Sequence, residues 1–259
     1  MLWTIGGIFC DLEKACDCVN HDILLSKLKF CGISDKDFQL YPSYLGNKYC
    51  RTSIYNDSEN SNKVSDWAKV RHGVSQDYIL GPLLFLLYIN DIPKIINKTS
   101  APIIFADGTS ILFAHSNPVD FNKNIYIVFI TLNKWQRANQ LSLNSNKTNY
   151  IHFTTKRIMS INLKIGCNNN FITNISYTKF LGVTMNNTLS WNNHIDLIMK
   201  KLSKASYIIR NAKTYMSVSS LKVIYYAFFH SVMSYSIILR GNSWHSYIIF
   251  RIQKMPIEL

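Results

Sequence analysis

Apolar and polar residues follow one another in blocks that predict a sheet interleaved with helices. Residues 5–10 form a short apolar run that ends at Asp11 and predicts a buried strand. Two further apolar runs, 103–105 and 111–113, meet at Asp107-Gly108. This arrangement predicts a β-hairpin, because glycine tolerates the positive φ that a tight turn needs. Other strands are predicted at 48–54, 150–153, 161–165, 171–175 and 180–183, with residues 166–168 turning the hairpin formed by the third and fourth of these.

Helices are predicted where apolar residues recur every three or four positions. The clearest stripe has steps of four, three, four and three, as expected for an amphipathic helix on a sheet: Phe121, Ile125, Val128, Leu132 and Trp135. Residues 81–89 are apolar on every side and carry Pro82 in the first turn, which predicts a short helix that is buried all round. Further helices are predicted at 23–28, capped by Asn20 or Asp22, and at 35–45. Two more are lined by apolar stripes: Ile195, Ile198, Leu202, Ala205 and Ile209 on one, and Leu221, Ile224, Phe228, Val232 and Tyr235 on the other.

The distribution of charge divides the chain in two. The 259 residues carry a net charge of +13 and are 47% hydrophobic, enough for a sizeable core and too apolar for disorder. Residues 1–120 hold 11 Lys/Arg against 13 Asp/Glu, whereas residues 121–259 hold 17 against 2. Such a split suggests an acidic, cation-binding half joined to a half that holds a polyanion; the alternative is a basic surface without function.

Several classes of protein lack support in the sequence. The apolar N-terminus has no basic region and no small-residue cleavage site, so we expect no signal peptide. No uncharged apolar run reaches the roughly eighteen residues of a membrane span. The six cysteines show neither CxxC pairs nor a zinc pattern, which indicates reduced thiols. We therefore expect an intracellular protein of the nucleus or cytoplasm, without a membrane partner.

Two aspartates at strand ends are the candidate chemical centre. Asp11 and Asp107 are distant in sequence, but a sheet can bring them side by side. Such a pair can hold two Mg²⁺ ions about 4 Å apart, which activate an attacking hydroxyl and stabilise a leaving pyrophosphate. Mn²⁺ is a possible substitute. The simpler alternative is that Asp107 is an ordinary turn residue.

Five segments carry motifs in a characteristic order. The first, residues 11–21, reads D-L-E-K-A-C-D-C-V-N-H. The second, residues 73–85, reads G-V-S-Q-D-Y-I-L-G-P-L-L-F and continues with Y-I-N-D at 88–91. The third, residues 105–108, reads F-A-D-G; the fourth, residues 135–148, contains W, N-x-L and K-T; and the fifth, residues 179–183, reads K-F-L-G-V. Their order and spacing resemble the reverse transcriptases of non-LTR (LINE-like) retrotransposons, whose patterns include D-x-x-K-A-F-D, G-V-P-Q-G, F-A-D-D and K-x-L-G. The resemblance covers roughly residues 5 to 245.

The resemblance implies an α+β, right-hand polymerase fold. Residues 1–190 would form the palm, an antiparallel sheet with helices on one face, and residues 191–259 a basic, helical thumb. The implied activity is RNA-directed DNA polymerisation, with nucleotidyl transfer to a primer 3′-hydroxyl, an RNA template, a DNA primer and deoxynucleoside triphosphates. The implied roles are metal ligation and catalysis for Asp11 and Asp107, nucleotide or template binding for Cys16, Gln76 and Lys147, and primer grip for Leu181 and Gly182.

The chain departs from the family at informative positions. Gly108 stands where the family has a second aspartate, so one carboxylate beside the metal ions is missing and activity should fall by orders of magnitude. Cys16 replaces an aromatic residue that excludes the 2′-hydroxyl, which predicts poor rejection of ribonucleotides. Asp77 replaces a glycine after Gln76 and adds bulk and charge. The chain also begins just before the first catalytic strand, so we expect the fingers and the endonuclease domain to be missing.

Three hypotheses follow from these departures. The chain is a reverse transcriptase domain with little or no activity, a non-catalytic nucleic-acid-binding relic that uses its basic half, or a weak polymerase that works with two aspartates. His21 and His72 are interpreted as structural or surface residues rather than as acid–base groups. Four tyrosines of the basic half are interpreted as core or interface residues more readily than as base-stacking platforms: Tyr207, Tyr215, Tyr225 and Tyr226.

Overall fold

The computed structural model describes residues 3–57, 60–76, 79–96, 100–154, 165–167 and 170–257. The strands are β1 Thr4–Asp11, β2 Tyr49–Cys50, β3 Ser53–Asn56, β4 Ser61–Val64, β5 Ala68–Lys69, β6 Ser100–Phe105, β7 Gly108–His115, β8 Asn149–Phe153, β9 Ile165–Cys167, β10 Asn170–Asn174, β11 Tyr177–Phe180 and β12 Val183–Asn186. The helices are α1 His21–Phe30, α2 Asp35–Gly46, α3 Leu80–Ile89, α4 Ile92–Ile95, α5 Pro118–Ala138, α6 Asn192–Ala212, α7 Val218–Ile224, a π-helix Tyr225–His230, α8 Ser231–Ser234, α9 Ile237–Arg240 and α10 Ser246–Ile257. The fold is therefore α+β.

The chain divides into two compact units. The first comprises Met1–Tyr150 and Asn162–Asn174, and the second comprises Ile151–Ile161 and Ile175–Leu259. The assignment of residues 1–190 to a palm and 191–259 to a thumb concerns function and stays a prediction. Asp77, most of the predicted strand 161–165 and the turn residue Asn168 lie outside the described residues.

The largest sheet among the described residues has six strands, in the order β6-β7-β1-β8-β10-β9. β6 and β1 both pair antiparallel with β7. The expected antiparallel sheet is wrong at the pair of β8 and β10, which run parallel. Parallel strands need a long return connection, and the 16 residues 154–169 between these two strands are long enough to provide it.

Helices α1, α3 and α5 contribute to one hydrophobic core with this sheet. All five residues of the stripe in α5 are buried, as the spacing predicted. The side chain of Asn20 caps α1 by accepting from the Ile23 N–H, and that of Asn117 caps α5 by accepting from the Val119 N–H, both at 3.0 Å. These local signals explain why both helices begin where they do.

Polar contacts join these helices at a half-buried cation. The Lys27 ammonium on α1 lies 3.0 Å from an Asp91 carboxylate oxygen, and the other Asp91 oxygen accepts from the Trp135 indole N–H at 3.1 Å. Burial lowers the pKa of Lys27, while Asp91 raises it. The Tyr88 hydroxyl donates to the buried Asn139 carbonyl at 2.7 Å and so fixes α3 against the end of α5.

Helix α3 is buried on one side only, so the prediction of burial all round is wrong. Leu84, Phe85 and Tyr88 are buried, whereas Leu83 and Leu86 are about half exposed. The reason is that the core lies on one side of α3, while the opposite side lacks a covering layer among the described residues. Apolar composition alone does not distinguish these two situations.

The second unit packs α6 against β12 and the helices that follow. The α6 stripe Ile195, Ile198, Leu202, Ala205 and Ile209 is buried, as predicted. The predicted helix 221–235 contains the π-helix, and its buried positions are Phe229 and Met233 instead of Phe228 and Val232. A π-turn adds one residue to a turn, so it shifts the buried face by one position.

The predicted strand 180–183 is in fact a hairpin turn. Phe180 pairs with Val183 across β11 and β12, which leaves Leu181 and Gly182 as the two turn residues. Both have positive φ, 46° and 79°, as a type I′ turn requires. Across the described ranges, every helix is too short or too polar to cross a bilayer.

Candidate active site

Strand register brings the two predicted aspartates to one end of the sheet. Asp11 is the last residue of β1 and pairs with Gly108, the residue directly after Asp107. Both carboxylates line a single cavity of about 850 Å³ in the first unit. Two residues separated by almost a hundred positions thus share one site, because β1 and β7 are adjacent and antiparallel. Their roles in catalysis and metal binding stay predictions.

The hairpin that carries Asp107 turns one residue earlier than predicted. Phe105 pairs with Gly108, so Ala106 and Asp107 form the two-residue turn. Ala106, and not Gly108, takes the positive φ, at 51°. A side chain in this left-handed region costs roughly 1–2 kcal/mol, so strand pairing on both sides must hold the turn in place. Gly108 is an ordinary strand residue.

Lys147 lies beside the first aspartate. Its ammonium is 3.1 Å from an oxygen of the Asp11 carboxylate. The loop after α5 is fixed there by two backbone hydrogen bonds of 2.9 Å, from the Asn144 N–H to the Asp11 carbonyl and from the Glu13 N–H to the Ser142 carbonyl. This ion pair places one positive charge directly against the Asp11 carboxylate.

Cys16 and Gln76 line the same cavity. Burial raises the pKa of the Cys16 thiol, and the negative charges of Asp107 and Asp17 raise it further, while a hydrogen bond with Gln76 lowers it. The thiol is therefore neutral at physiological pH and presents a small, uncharged surface near Asp107. All five residues predicted for metal and nucleotide or template binding meet in this cavity.

Close backbone contact explains two glycines of the 73–85 segment. Gly73 has a φ of 93°, and a Cβ there would lie 3.0 Å from the Asp17 carbonyl oxygen. A Cβ on Gly81 would lie only 1.6 Å from the carbonyl oxygen of Ser75. His21 contributes to this attachment, with its Nε2 2.9 Å from the Gly73 carbonyl oxygen. The contact agrees with a structural role for His21.

The carboxylates of Asp11 and Asp107 suit a hard divalent cation, but the cavity has one carboxylate fewer than the motif with two aspartates would supply. Carboxylate oxygens are the ligands that Mg²⁺ and Mn²⁺ prefer. Within the described ranges, no group of three or more His, Cys, Asp or Glu side chains is arranged to hold a metal ion. Gly108, opposite Asp11, is the position where a third carboxylate would extend the pair.

Leu181 and Gly182 belong to the second unit. The Leu181 carbonyl accepts a hydrogen bond from the Tyr235 hydroxyl, which fixes the turn. Gly182 lines a cavity of about 510 Å³ together with Lys179, Lys201 and the buried His194. Two lysines at one cavity suit an anion.

Sequence reasoning missed the role of His194 in this cavity. Its Nδ1 accepts from the Thr184 N–H at 3.3 Å, and its Nε2 lies 3.0 Å from the Ser236 hydroxyl. Burial lowers the pKa of His194, and the charges of Arg240 and Lys201 lower it further. The imidazole is therefore a neutral link between β12 and the later helices. A lone histidine at the start of a helix carries no sequence signal for this role.

Glu13 and Lys14 also line the aspartate cavity, although the sequence analysis assigned them no role. Both lie in the D-L-E-K-A segment, so the available signal was the motif itself. Lys14 has a positive φ of 46° at the turn that follows β1.

Comparison with known proteins identifies the family of this chain. Residues 5–185 match the family described as reverse transcriptase (RNA-dependent DNA polymerase). The probable RNA-directed DNA polymerases from transposons BS and X-element of Drosophila melanogaster are 24% and 26% identical, each over 85% of this chain and 24% of the relative. The RNA-directed DNA polymerase from mobile element jockey of Drosophila funebris is 23% identical over 92% of this chain and 26% of the relative.

Among solved structures, apo telomerase from Candida tropicalis, truncated from its C-terminal domain, matches 72% of this chain and 34% of that chain, with 16% identity and a TM-score of 0.48. The present chain spans about a quarter of the length of the curated relatives. Since the family match extends over more than half of the residues, the chain belongs to the reverse transcriptase (RNA-dependent DNA polymerase) family and is a reverse transcriptase domain of retrotransposon origin.

Proposed function

We propose that this domain is the polymerase portion of an RNA-directed DNA polymerase and that catalysis at the cavity of Asp11 and Asp107 is impaired. The observation that carries the proposal is the register of β1 and β7, which brings Asp11 and Asp107 into one cavity. The two carboxylates would hold divalent metal, Mg²⁺ or Mn²⁺. The chemistry that such cations supply is activation of the primer hydroxyl and stabilisation of the leaving pyrophosphate.

The other residues of the cavity have roles that follow from their chemistry. Lys147 reduces the negative charge of the Asp11 carboxylate and orients it through the ion pair. Gln76 holds the Cys16 side chain, and the small thiol leaves room for a ribose 2′-hydroxyl. Template RNA, a DNA primer and deoxynucleoside triphosphates are the proposed substrates.

Residues 191–259 are proposed to bind the phosphates of the template–primer duplex as the thumb. They contain nine Lys/Arg and only two Asp/Glu. Phosphate contacts through lysine and arginine supply most of the sequence-independent affinity for nucleic acids. The Leu181-Gly182 turn, beside the cavity with Lys179 and Lys201, is the proposed primer grip.

Primer extension on poly(rA)/oligo(dT) tests the catalytic proposal. We expect weak incorporation by the natural chain with Mg²⁺ or Mn²⁺, and none after Asp107→Asn. Gly108→Asp should raise incorporation by at least an order of magnitude, because it adds the missing carboxylate. Gly108→Asn is the matched control, since it has the same size without the charge. Equal rates for these two variants would refute the metal-ligand account.

A second candidate function is nucleic-acid binding without catalysis. The loss of a carboxylate at position 108 and the basic surplus of the second unit favour it. Binding of the same duplex in EDTA, measured over a range of salt concentrations, should show affinity that falls steeply with salt. Binding without incorporation, even for Gly108→Asp, would support this alternative over the polymerase.

A further inference from the structure

A β-ribbon in the first unit exposes most of its large side chains. The ribbon comprises the described residues within 48–56 and 61–70. β2 pairs with β5, β3 pairs with β4, and a hydrogen bond of 2.9 Å from the Ser65 N–H to the Thr52 carbonyl connects the two pairs. About half or more of each of these apolar or aromatic side chains is exposed: Tyr49, Ile54, Tyr55, Val64 and Trp67.

Three positions along the ribbon set a cation beside an apolar or aromatic group. Tyr49 pairs directly with Lys69, and Ile54 pairs with Lys63. Directly paired residues project from the same face of an antiparallel pair. Between them, the Arg51 guanidinium lies 4.6 Å from the centroid of the Trp67 ring. Along the ribbon, two aromatic rings, those of Tyr49 and Trp67, therefore each have a cation as a neighbour.

This combination of exposed rings and cations favours a polyanion with flat, stackable groups over an apolar protein partner. In the part of the chain that the structure describes, neither Arg51 nor Lys69 has a carboxylate within ion-pair distance. An apolar partner would bury these cations without a counter-charge, which is costly. Residues 48–71 hold five Lys/Arg and three Asp/Glu, one of which is Asp66 next to Trp67. Since residues 1–120 as a whole hold 11 Lys/Arg against 13 Asp/Glu, this positive surplus is a local feature of the ribbon.

We propose that the ribbon binds single-stranded nucleic acid, with bases stacked on Tyr49 and Trp67 and phosphates held by Arg51 and Lys69. Aromatic side chains accept every base because every base has a π-face, and arginine adds cation–π contacts. The identification of this strand as the RNA template rests on the proposed function; binding itself does not. A duplex presents no free base faces, so the ribbon prefers single strands.

Fluorescence anisotropy with a fluorescein-labelled oligouridine in EDTA tests the inference. EDTA excludes any contribution from metal-dependent catalysis, so failure of polymerisation and failure of this site are separate results. Trp67→Ala should weaken binding by about fivefold or more, and Trp67→Phe should restore most of it. Phe30→Ala is the matched control: Phe30 is also exposed beside a lysine, with the Lys94 ammonium 5.5 Å from its ring, but it lies on α1.

Salt dependence separates phosphate contacts from stacking. Lys69→Gln should reduce the slope of log affinity against log salt by about 0.7, the value for one phosphate of a single strand. Trp67→Ala should weaken binding without changing this slope. Equal affinity of Trp67→Ala and Phe30→Ala would overturn the inference. The inference would also be overturned if Trp67→Ala lost self-association in sedimentation while its affinity for oligouridine stayed unchanged. The ribbon would then be a contact between copies of the chain.

Discussion

The Gly108→Asp variant should make the stability of the domain depend on divalent metal. The position accepts a side chain, because a Cβ on Gly108 would meet only the Phe105 carbonyl oxygen, at an ordinary 3.4 Å. Its backbone is that of a regular strand, so the substitution introduces no strain. The substitution changes the charge, because it adds a third carboxylate beside those of Asp11 and Asp107.

The expected cost follows from the separation of these groups. Directly paired residues of antiparallel strands lie about 5 Å apart between Cα atoms. Two like charges at that distance repel by about 1 kcal/mol in water and about 3 kcal/mol at an effective dielectric constant of 20. Lys147 already compensates part of the Asp11 charge. We therefore expect a loss of about 1 kcal/mol, or a Tm lower by about 2–4 °C, without metal.

A bound cation should reverse this loss. A ligand that binds only the folded state at ten times its Kd stabilises that state by about 1.4 kcal/mol. Thermal unfolding of Gly108→Asp, Gly108→Asn and the natural chain, each in EDTA and in a series of Mn²⁺ concentrations, measures the effect. The largest metal-dependent rise in Tm should belong to Gly108→Asp.

Gly108→Asn separates charge from size in this experiment. Its amide has the volume of the carboxylate but adds no charge, so its Tm should respond to Mn²⁺ no more than that of the natural chain. If Mn²⁺ raises the Tm of Gly108→Asp and Gly108→Asn equally, Asp11 and Asp107 do not form a metal site and the reasoning fails.

Three further predictions concern groups that the structure places in tight or buried surroundings. Gly81→Ala should destabilise the fold by several kcal/mol in denaturant titration, because its Cβ would overlap a carbonyl oxygen, whereas Gly46→Ala, with open space, should be neutral or slightly stabilising. Tyr88→Phe should cost about 1–2 kcal/mol, since it leaves a buried carbonyl without its donor; unchanged stability would contradict this. Burial, with a contribution from the charge of Asp11, raises the pKa of the Cys10 thiol to about 12, so mass spectrometry should find it unlabelled by thiol reagents while the exposed Cys31 reacts. Because the unfolded thiol ionises near its ordinary pKa of 9.0, Cys10 should also reduce stability as pH rises above that value, and Cys10→Ala should remove this dependence.

Elements set by local patterns could be predicted from the sequence. The stripe from Phe121 to Trp135 forms α5 because its apolar residues repeat with the period of a helix, and Asn20 caps α1 as its position suggested. The strand that ends at Asp11 was likewise evident from its apolar run. In each case the residues that determine the structure are close neighbours in sequence.

Features set by pairing or packing at a distance could not be predicted. The turn at Ala106-Asp107 follows from the register of β6 and β7, which overrides the preference of glycine for positive φ. The π-helix moves burial from Phe228 to Phe229, and no periodicity reveals such an insertion. The ion pair of Lys147 with Asp11 depends on the loop after α5, which meets β1 only in the folded chain.

The charges around Asp11 and Asp107 explain why the proposed loss of catalysis need not mean loss of binding. Two carboxylates opposed by the Lys147 ammonium leave about one net negative charge for divalent cations, and an aspartate at position 108 would double it. The basic residues proposed to hold phosphate belong instead to residues 191–259 and to the ribbon around Trp67. A change at position 108 would therefore weaken the proposed metal site and leave the basic residues in place. We expect a domain of this family with Gly108 to hold nucleic acid more effectively than it extends it.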